Sequence, residues 1–308
     1  MIICAGTVLI DCIITASGTE SVADAITLAP GGEAFNEAVS LARLGERVRL
    51  IAPVGHDAAG DMIRTMLNRE GIELQSVYDG TTLVSLLTVD TDGGRRSRVS
   101  KAHSLAGYHP NLPGDGFSFV TMASLFRPPF LDPADCLDFA RRVKSFPGTM
   151  LLADTKLPKG TDPQLADYRK TLALLDWITP NEAEALHYTQ TGAPEEAARV
   201  FRSYGVRNVI IKLAERGCYV LPESGKAFTV PAFPVECVDG IGAGDAFNAG
   251  LIHKLSSGTV LTDEKLREAV LFASACAAVS VTKRGATAAL LSAAQPDALL
   301  RQFIHTAG

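Results

Sequence analysis

The segment from Val238 to Gly250 reads VDGIGAGDAFNAG, and it sets small residues directly in front of an apolar run that continues to Leu255. Glycines in such a segment let the backbone approach a ligand closely, and the apolar run is typical of the start of a buried helix. The N–H groups and the dipole at a helix N-terminus stabilise a bound anion such as a phosphate group. The segment therefore predicts a helix N-terminus that binds an anion.

Asp245 stands in the first turn of this predicted helix, where its charge would repel a bound phosphate. A carboxylate in this position is explained if it accepts the proton of an attacking hydroxyl group. A glycine-rich turn in which Asp245 only caps the helix is the alternative that the segment alone leaves open. No Gly-Lys-Ser or Gly-Lys-Thr follows the glycines, so the segment is not a Walker A loop.

Outside this segment, short β-rich runs alternate with helical patterns along most of the chain. The strand-like runs include 48–53, 149–153, 175–179 and 206–213. Their alternation with helical patterns predicts an α/β fold with a central, mainly parallel sheet. No linker rich in Pro, Gly or Ser divides the 308 residues, so we expect a single domain over 1–308.

Two segments break the alternation, residues 8–30 and residues 82–101. Both have the pattern of extended, partly polar strands with no helix between them. Because they lie next to candidate site residues, we expect them to form a small sheet, called the lid below, that covers a pocket. Exposed lid strands are liable to pair with another chain, so a homodimer through the lid is compatible with the sequence.

Composition and charge exclude several classes of protein. The formal net charge is −5 with both signs interspersed, and no run of Lys or Arg forms a nucleic-acid footprint, so no nucleic-acid partner is expected. No apolar stretch approaches the roughly 18 residues of a membrane span. The first basic residue is Arg43, so a secretory signal is not predicted either. The six cysteines lack CxxC or zinc spacing and are expected to be reduced thiols, which indicates a cytoplasmic protein.

Four motifs in this order resemble the signatures of the ribokinase-like, or pfkB-type, carbohydrate kinases. They are GGEAFN at 31–36 with LARLG at 41–45 and VGHDAAG at 54–60, NEAE at 181–184, DGIGAGDAFNAG at 239–250, and VTKRGA at 281–286. The resemblance covers nearly the whole chain. It implies a central parallel sheet with helices on both faces, a small β-sheet lid, and ATP-dependent phosphorylation of a hydroxyl group of a small sugar-like molecule.

The resemblance also implies roles for particular residues. Asp245 is implied as the general base, beside an anion hole formed by the amides of Gly242, Ala243 and Gly244. The substrate hydroxyls are implied to contact Asp11, Gly31, Gly32 and Asn36. The ATP site is implied to include Lys212, Glu215, Gly217, Gly242, Gly244, Ala273 and Cys276.

Two cation sites follow from the same resemblance. Asn181 and Glu184 are implied to position Mg2+ through water molecules, because Mg2+ gives up its hydration shell reluctantly. Asp239 and the carbonyl group of Ile241 resemble part of a monovalent-cation site, which makes K+ a candidate activator.

The chain departs from the family pattern at three positions. Gly240 stands where a Thr is usual, Ala214 where a Gly is usual, and Ala289 near a position that often holds a Ser. None of the three is the implied base or part of the implied anion hole.

The first 42 residues predict the kind of substrate. They include most of the implied substrate contacts and half of the lid, yet they contain no Lys or Arg. They carry the carboxylates of Asp11, Glu20, Asp24, Glu33 and Glu37 instead. Carboxylates accept hydrogen bonds from neutral hydroxyl groups, whereas a phosphorylated sugar needs Arg or Lys partners. We therefore expect an unphosphorylated sugar or sugar acid, such as ribose, fructose or 2-keto-3-deoxygluconate.

Other functions were weighed against a sugar kinase. A Rossmann-type dehydrogenase needs GxGxxG after the first strand, and Cys4-Ala5-Gly6-Thr7 offers one glycine. A non-catalytic sugar or nucleotide sensor would not need Asp245 beside an intact Gly-Ala-Gly. A nucleoside kinase of the same family stays open, because the lid residues decide the substrate.

Overall fold

In a computed structural model of the chain, the structure describes residues 1–15, 25–76, 80–89, 95–100, 111–114, 116–158, 160, 162–256 and 262–307. The strands are β1 (Ile2–Ala5), β2 (Leu9–Thr15), β3 (Ala25–Gly31), β4 (Val48–Ala52), β5 (Glu73–Ser76), β6 (Leu83–Val89), β7 (Arg95–Val99), β8 (Phe119–Leu125), β9 (Met150–Thr155), β10 (Trp177–Ile178), β11 (Asn208–Lys212), β12 (Cys218–Leu221) and β13 (Phe228–Val230). The α-helices are α1 (Glu33–Arg43), α2 (Ala58–Arg69), α3 (Pro133–Lys144), α4 (Arg169–Leu172), α5 (Glu182–Thr189), α6 (Pro194–Ser203), α7 (Ala243–Leu255), α8 (Asp263–Ser280) and α9 (Ala294–Ala307).

The larger sheet is mainly parallel. Within the described residues it has nine strands in the order β13-β12-β11-β10-β9-β8-β1-β4-β5. Every neighbouring pair from β11 to β5 is parallel, and β12 and β13 continue the sheet antiparallel at one edge. The predicted α/β fold with a mainly parallel sheet is confirmed.

Helices cover both faces of this sheet, as predicted. The side chains of β1 alternate between two hydrophobic cores, because successive residues of a strand point to opposite faces. Ile2 and Cys4 belong to the core that contains residues of α1, α7 and α8, whereas Ile3 and Ala5 belong to the core that contains residues of α3 and α6. Burial on both faces accounts for the uninterrupted apolar sequence of this strand. No helix among the described residues is long and apolar enough to cross a lipid bilayer.

A second, smaller sheet is formed by strands of the two segments that interrupt the sequence alternation. In the described part of the chain its order is β3-β2-β6-β7, with β2 antiparallel to β3 and parallel to β6. Residues 16–24, 90–94 and 101 of the predicted lid segments lie outside the described residues. Ile26 and Leu28 on β3 are 64% and 51% exposed, so this sheet presents apolar side chains to solvent.

The fold brings several strand ends together at one edge. The strands β1, β8, β9, β10 and β11 are parallel neighbours, so their carboxyl ends meet there. In open α/β sheets the ligand crevice lies outside this edge. Polar residues at or just beyond these strand ends are Thr7, Ser124, Asp154, Thr155, Asn181 and Lys212.

Candidate active site

The N-terminus of α7 lies beside the carboxyl edge of the large sheet. Gly242 caps the helix with φ 83°, in the left-handed region that favours glycine. A Cβ atom at this position would lie 2.7 Å from Cα of Ala286, so a side chain is excluded by space as well. The first N–H groups of any helix lack intrahelical partners. This N-terminus can therefore hold phosphate oxygens.

Asp245 lies in the first turn of α7 and is 4% exposed. Its Oδ2 accepts a hydrogen bond of 2.7 Å from Nδ2 of Asn36, which α1 supplies. Its Oδ1 lies 4.0 Å from Nζ of Lys156. Burial raises the pKa of Asp245, and the charge of Lys156 and the bond from Asn36 partly offset this effect. A buried carboxylate with raised proton affinity beside a cation suits a general base.

Asp154 and Lys156 at the end of β9 complete the charged centre. Asp154 is fully buried, and its Oδ1 accepts a hydrogen bond of 2.9 Å from Nζ of Lys212. Lys156 Nζ lies 3.8 Å from Asp154 Oδ2 and 4.0 Å from Glu33 Oε1. Burial acts to lower the pKa of Lys156, but Asp154, Asp245 and Glu33 together raise it. Lys156 is therefore a permanent cation beside Asp245.

Asn181 and Glu184 form a capping box at the start of α5. Glu184 N donates to Asn181 Oδ1 at 2.9 Å, and Asn181 N donates to Glu184 Oε2 at 3.0 Å. Thr155 Oγ1 also donates to Glu184 Oε2, at 2.9 Å, so Oε1 takes no part in these bonds. Burial raises the pKa of Glu184, and the charge of Asp154 raises it further. These hard oxygen donors fit a hydrated Mg2+ ion, which binds through water more readily than directly.

A cleft of ≈ 730 Å³ runs from Asp245 along the carboxyl edge of the sheet. Lys156 and Asp245 line one part of it, so the cleft reaches the charged centre. Apolar walls come from Phe233, Val235 and Val281, which suits a flat heterocycle. The predicted site residues among its lining are Asn181, Glu184, Lys212, Glu215, Gly217, Gly242, Ala243, Gly244 and Asp245.

The loop after β11 forms another wall of the cleft. Leu213 N donates to Gly217 O at 2.7 Å, which closes a tight turn. Gly217 has φ 88°, and a Cβ atom there would lie 2.0 Å from the carbonyl oxygen of Val230. Ala214, which stands where the family usually has glycine, has φ 53°. The turn therefore keeps its left-handed conformation at Ala214 despite the missing glycine.

Two residues predicted to contact ATP do not line the cleft. Ala273 and Cys276 are fully buried, and they face Gly250 of α7. A Cβ atom on Gly250 would lie 2.8 Å from Cys276 Sγ, so these small residues serve close packing of α8 on α7. The part of α8 that lines the cleft is Ser274, Ala277 and Ala278, on the neighbouring helix face.

Asp239 ties two loops together beside the α7 N-terminus. Its Oδ1 accepts from Ile241 N and its Oδ2 accepts from Gly285 N, both at 3.1 Å. Val281 O accepts from the N–H groups of both Val238 and Asp239, at 2.8 and 3.1 Å. The carboxylate is 7% exposed overall, so it acts in the structure as a buried link between residues 239–241 and 281–285.

The predicted sugar contacts lie where β3 leads into α1. A Cβ atom on Gly31 would lie 2.5 Å from Asp11 Oδ2, so glycine leaves room for this carboxylate. Gly32 has φ 97°, and a Cβ atom there would lie 2.5 Å from the carbonyl oxygen of Thr7. Asn36 N donates to Gly32 O at 2.9 Å. The small sheet is thus joined directly to α1, the helix whose Asn36 donates a hydrogen bond to Asp245.

Sequence reasoning missed functional residues on other segments. Asp154 and Lys156 lie just after the predicted strand at 149–153. Polar residues at the end of a parallel strand are a signal of a binding site, and this signal is present in the sequence. Glu37 is fully buried behind Asp245, and a carboxylate beside the apolar face of a predicted helix was a weaker signal.

Comparisons with known proteins show which family the chain resembles. The model of the pfkB family carbohydrate kinases matches residues 1–293. The chain is 31% identical to the aminoimidazole riboside kinase of Salmonella typhimurium, in an alignment that covers 80% of each chain. It is 27% identical to probable fructokinase-4 of Arabidopsis thaliana, in an alignment that covers 98% of this chain and 97% of the relative. The crystal structure of ribokinase from Thermotoga maritima superposes with a TM-score of 0.82 and 25% identity, covering 97% and 99% of the two chains.

The family model spans well over half of the chain, and the motifs that it covers at 181–184, 239–250 and 281–286 contribute residues to the lining of the cleft. The chain therefore belongs to the pfkB family of carbohydrate kinases.

Proposed function

We propose that the protein transfers the γ-phosphoryl group of ATP to a hydroxyl group of an unphosphorylated sugar or sugar acid, with Asp245 as the general base. The observation that carries this proposal is the place of Asp245. It lies in the first turn of α7, where phosphate is favoured, and it lines the cleft while Asn36 on the sugar side holds its Oδ2.

Asn36 orients the base. Oδ2 of Asp245 accepts a hydrogen bond from Asn36. The other oxygen, Oδ1, is therefore the one that faces Lys156 and the cleft. A substrate hydroxyl group that donates to Oδ1 would be held in line with the α7 N-terminus. Loss of its proton to Oδ1 makes the hydroxyl oxygen a nucleophile for phosphorus.

Lys156 and the α7 N-terminus supply positive potential. The amides of Gly242, Ala243 and Gly244 are proposed to bind the oxygens of the transferred group. Lys156 keeps Asp245 ionised and offsets charge that develops beside it. We further propose that Asn181 and Glu184 hold Mg2+ through water molecules, where the ion would neutralise phosphate charge. Asp239 and Ile241 are proposed to border a K+ site.

The proposed specificity for an unphosphorylated acceptor rests on the charges near the sugar side. Asp11 and Glu33 are carboxylates there, and the cation placed against Asp245 is Lys156, which also faces Asp154 and Glu33. A second phosphate dianion would therefore meet a centre already rich in negative charge. Hydroxyl groups can donate to such carboxylates.

The test compares kcat/KM for ribose, fructose and 2-keto-3-deoxygluconate with kcat/KM for fructose 6-phosphate and fructose 1-phosphate, measured by ADP release. We expect every phosphate ester to be the poorer acceptor. A preference for either ester would refute the proposed specificity and direct attention to the arginines of β7. Aminoimidazole riboside belongs in the panel, because a kinase of that riboside is 31% identical to this chain.

We also propose that the small sheet acts as a lid and as a dimer contact. Ile26 and Leu28 on β3 and Leu86 on β6 are exposed apolar residues of this sheet. Exposed apolar strands are prone to pair with a second copy. Light scattering of the Leu28→Glu variant should show a monomer where the parent protein is a dimer; a parent that is already monomeric would refute the contact.

A further inference from the structure

Helices α1 and α7 exchange two amide–carboxyl hydrogen bonds. In the first, Asn36 of α1 donates from Nδ2 to Asp245 of α7 at 2.7 Å. In the second, Asn248 of α7 donates from Nδ2 to Oε1 of Glu37 of α1 at 2.8 Å. Each helix thus contributes one amide and one carboxyl group. Glu37 thus accepts a hydrogen bond from an Asn side chain of the other helix, as Asp245 does.

Among the described residues, no Lys, Arg or His forms an ion pair with Glu37. Its side chain is 0% exposed, and Thr121 Oγ1 on β8 lies 2.6 Å from Oε2. In the described part of the chain, Glu37 has these two neutral partners and no ion pair. The titratable groups that face it are Asp245 on α7, Asp154 on β9 and the thiol of Cys4 on β1.

The distances among the three buried carboxyl groups and the nearby lysines indicate which carboxyl group carries a proton. One oxygen atom from each of Glu37, Asp154 and Asp245 lies within 4.8 Å of the others. Buried carboxyl groups this close do not all ionise, because each charge opposes the next. Asp245 has Lys156 at 4.0 Å and Asp154 has Lys212 at 2.9 Å, so both have cations that favour the ionised form. Glu37 is the group left to hold a proton.

We propose that Glu37 is a positioning residue whose carboxyl group is protonated at neutral pH, so that it joins α1 to α7 behind Asp245 without adding a negative charge beside the base. In this state Oε2–H donates to Thr121 Oγ1, and Oε1 accepts from Asn248. The oxygen–oxygen distance of 2.6 Å suits such a donor. The inference rests on the proposed role of Asp245, because only then does the charge beside it affect turnover.

The electrostatics agree with this assignment. Burial, followed by the charges of Asp245 and Asp154, raises the pKa of Glu37 from 4.5 to about 8. Between these pH values the folded protein keeps a proton that the unfolded chain has released, so stability falls as pH rises through this window. Above pH 8 the folded protein releases the proton too, and a buried anion appears next to Asp245.

Glu37→Gln is the decisive variant, because glutamine reproduces the neutral acid. Its amide oxygen can accept from Asn248, and its NH2 group can donate to Thr121. Glu46→Gln is the matched control, since Glu46 also bonds α7, through His253 Nδ1 at 2.8 Å, but lies away from Asp245. Each protein is measured by infrared spectroscopy for a protonated carboxyl band, by Tm at several pH values, and by a pH profile of kcat/KM.

We expect the parent protein to show a protonated carboxyl band at pH 7 that fades near pH 8. Glu37→Gln should lack this band, and Glu46→Gln should keep it. The Tm of Glu37→Gln relative to the parent should rise from pH 5 to pH 8. Its kcat/KM at pH 7 should stay within about tenfold of the parent, and the alkaline fall of the parent above pH 8 should be reduced.

Absence of the band in the parent protein, or its persistence in Glu37→Gln, would overturn the proposal, as would a Tm difference that does not change with pH.

If Glu37→Gln does not fold, the band is followed in Thr121→Val. In Thr121→Val the acid proton of Glu37 loses its acceptor and the protonated form is stabilised less, so the band should then fade at a lower pH than in the parent. An unchanged titration would overturn the proposal. The band and Tm do not depend on turnover, so they remain decisive even if Asp245 is not the base.

Discussion

Asn36 donates a hydrogen bond of 2.7 Å from Nδ2 to Oδ2 of Asp245, so a residue of α1 sets the orientation of a carboxylate carried by α7. The two residues are 209 positions apart in the chain. The proposed base is therefore correctly oriented only when the N-terminal and C-terminal parts of the fold are packed together. This relationship makes Asn36 the first target for mutation.

Asn36→Ala should lower kcat by about 10- to 100-fold, because a hydrogen bond to a charged group is worth about 1.5–3 kcal/mol. ATP affinity should change little, since Asn36 does not line the cleft. Asn208→Ala is the control. Asn208 is also buried and donates to Asp176 O at 3.0 Å, but this bond does not involve Asp245. It should reduce Tm and leave kcat near that of the parent. Equal kcat losses in both variants would contradict the role of Asn36.

Lys156→Met should move the acid limb of kcat/KM to higher pH. Lys156 lowers the pKa of Asp245, so its removal raises that pKa further and the base is protonated at a pH where the parent is active. We also expect kcat to fall by about 10²-fold, as when one transition-state contact is lost. Lys144→Met, which removes a similar lysine–carboxylate pair at Asp176, should leave the pH profile unchanged. An unshifted acid limb in Lys156→Met would refute the coupling.

Gly242→Ala should abolish most activity, whereas Gly240→Ala should not. At Gly242 the backbone has φ 83° and a Cβ atom would lie 2.7 Å from Ala286 Cα, so the α7 N-terminus must shift. At Gly240 no described atom lies within 4 Å of an added Cβ atom. We expect kcat losses of about 10²-fold or more at 242 and less than about threefold at 240. Similar kinetics in both variants would show that the α7 N-terminus does not bind the transferred group.

Ala214→Gly should stabilise the protein. Ala214 has φ 53°, a conformation that costs an L-residue about 1–2 kcal/mol, and the added freedom of glycine in the unfolded chain offsets about half of the gain. Gly217→Ala, three residues later, should be strongly destabilising, because its Cβ atom would lie 2.0 Å from Val230 O. Denaturant unfolding measures both. A loss of stability in Ala214→Gly would mean that the strain is absent.

The parts of the fold that the sequence predicts well are those encoded locally. The alternation of strand and helix patterns is enough to predict the parallel sheet. The glycines before Asp245 are enough to predict the N-terminus of α7. The residues that it misses lie on other segments. Asp154 and Lys156 reach Asp245 because β9 ends at the same sheet edge, a juxtaposition that depends on strand order.

Helix orientation explains why Ala273 and Cys276 of α8 do not line the cleft. Small residues on one helix face fit either a ligand or a second helix, and the sequence does not distinguish these cases. Ala273 and Cys276 face Gly250, so close packing of α7 on α8 accounts for them. Glu37 is one of the carboxylates from which the sequence predicts a preference for hydroxyl groups, but the structure buries it completely.

Asp245→Asn tests the central claim most directly. Asparagine keeps the size of the side chain and an oxygen for Asn36, but it cannot accept the substrate proton. We expect kcat to fall by about 10²–10⁴-fold, the usual effect of removing a general base, while ATP affinity stays within several fold of the parent. Single-turnover ADP formation with the best acceptor of the sugar panel gives this value. Turnover by Asp245→Asn within about threefold of the parent, with ATP bound equally well, would contradict the account.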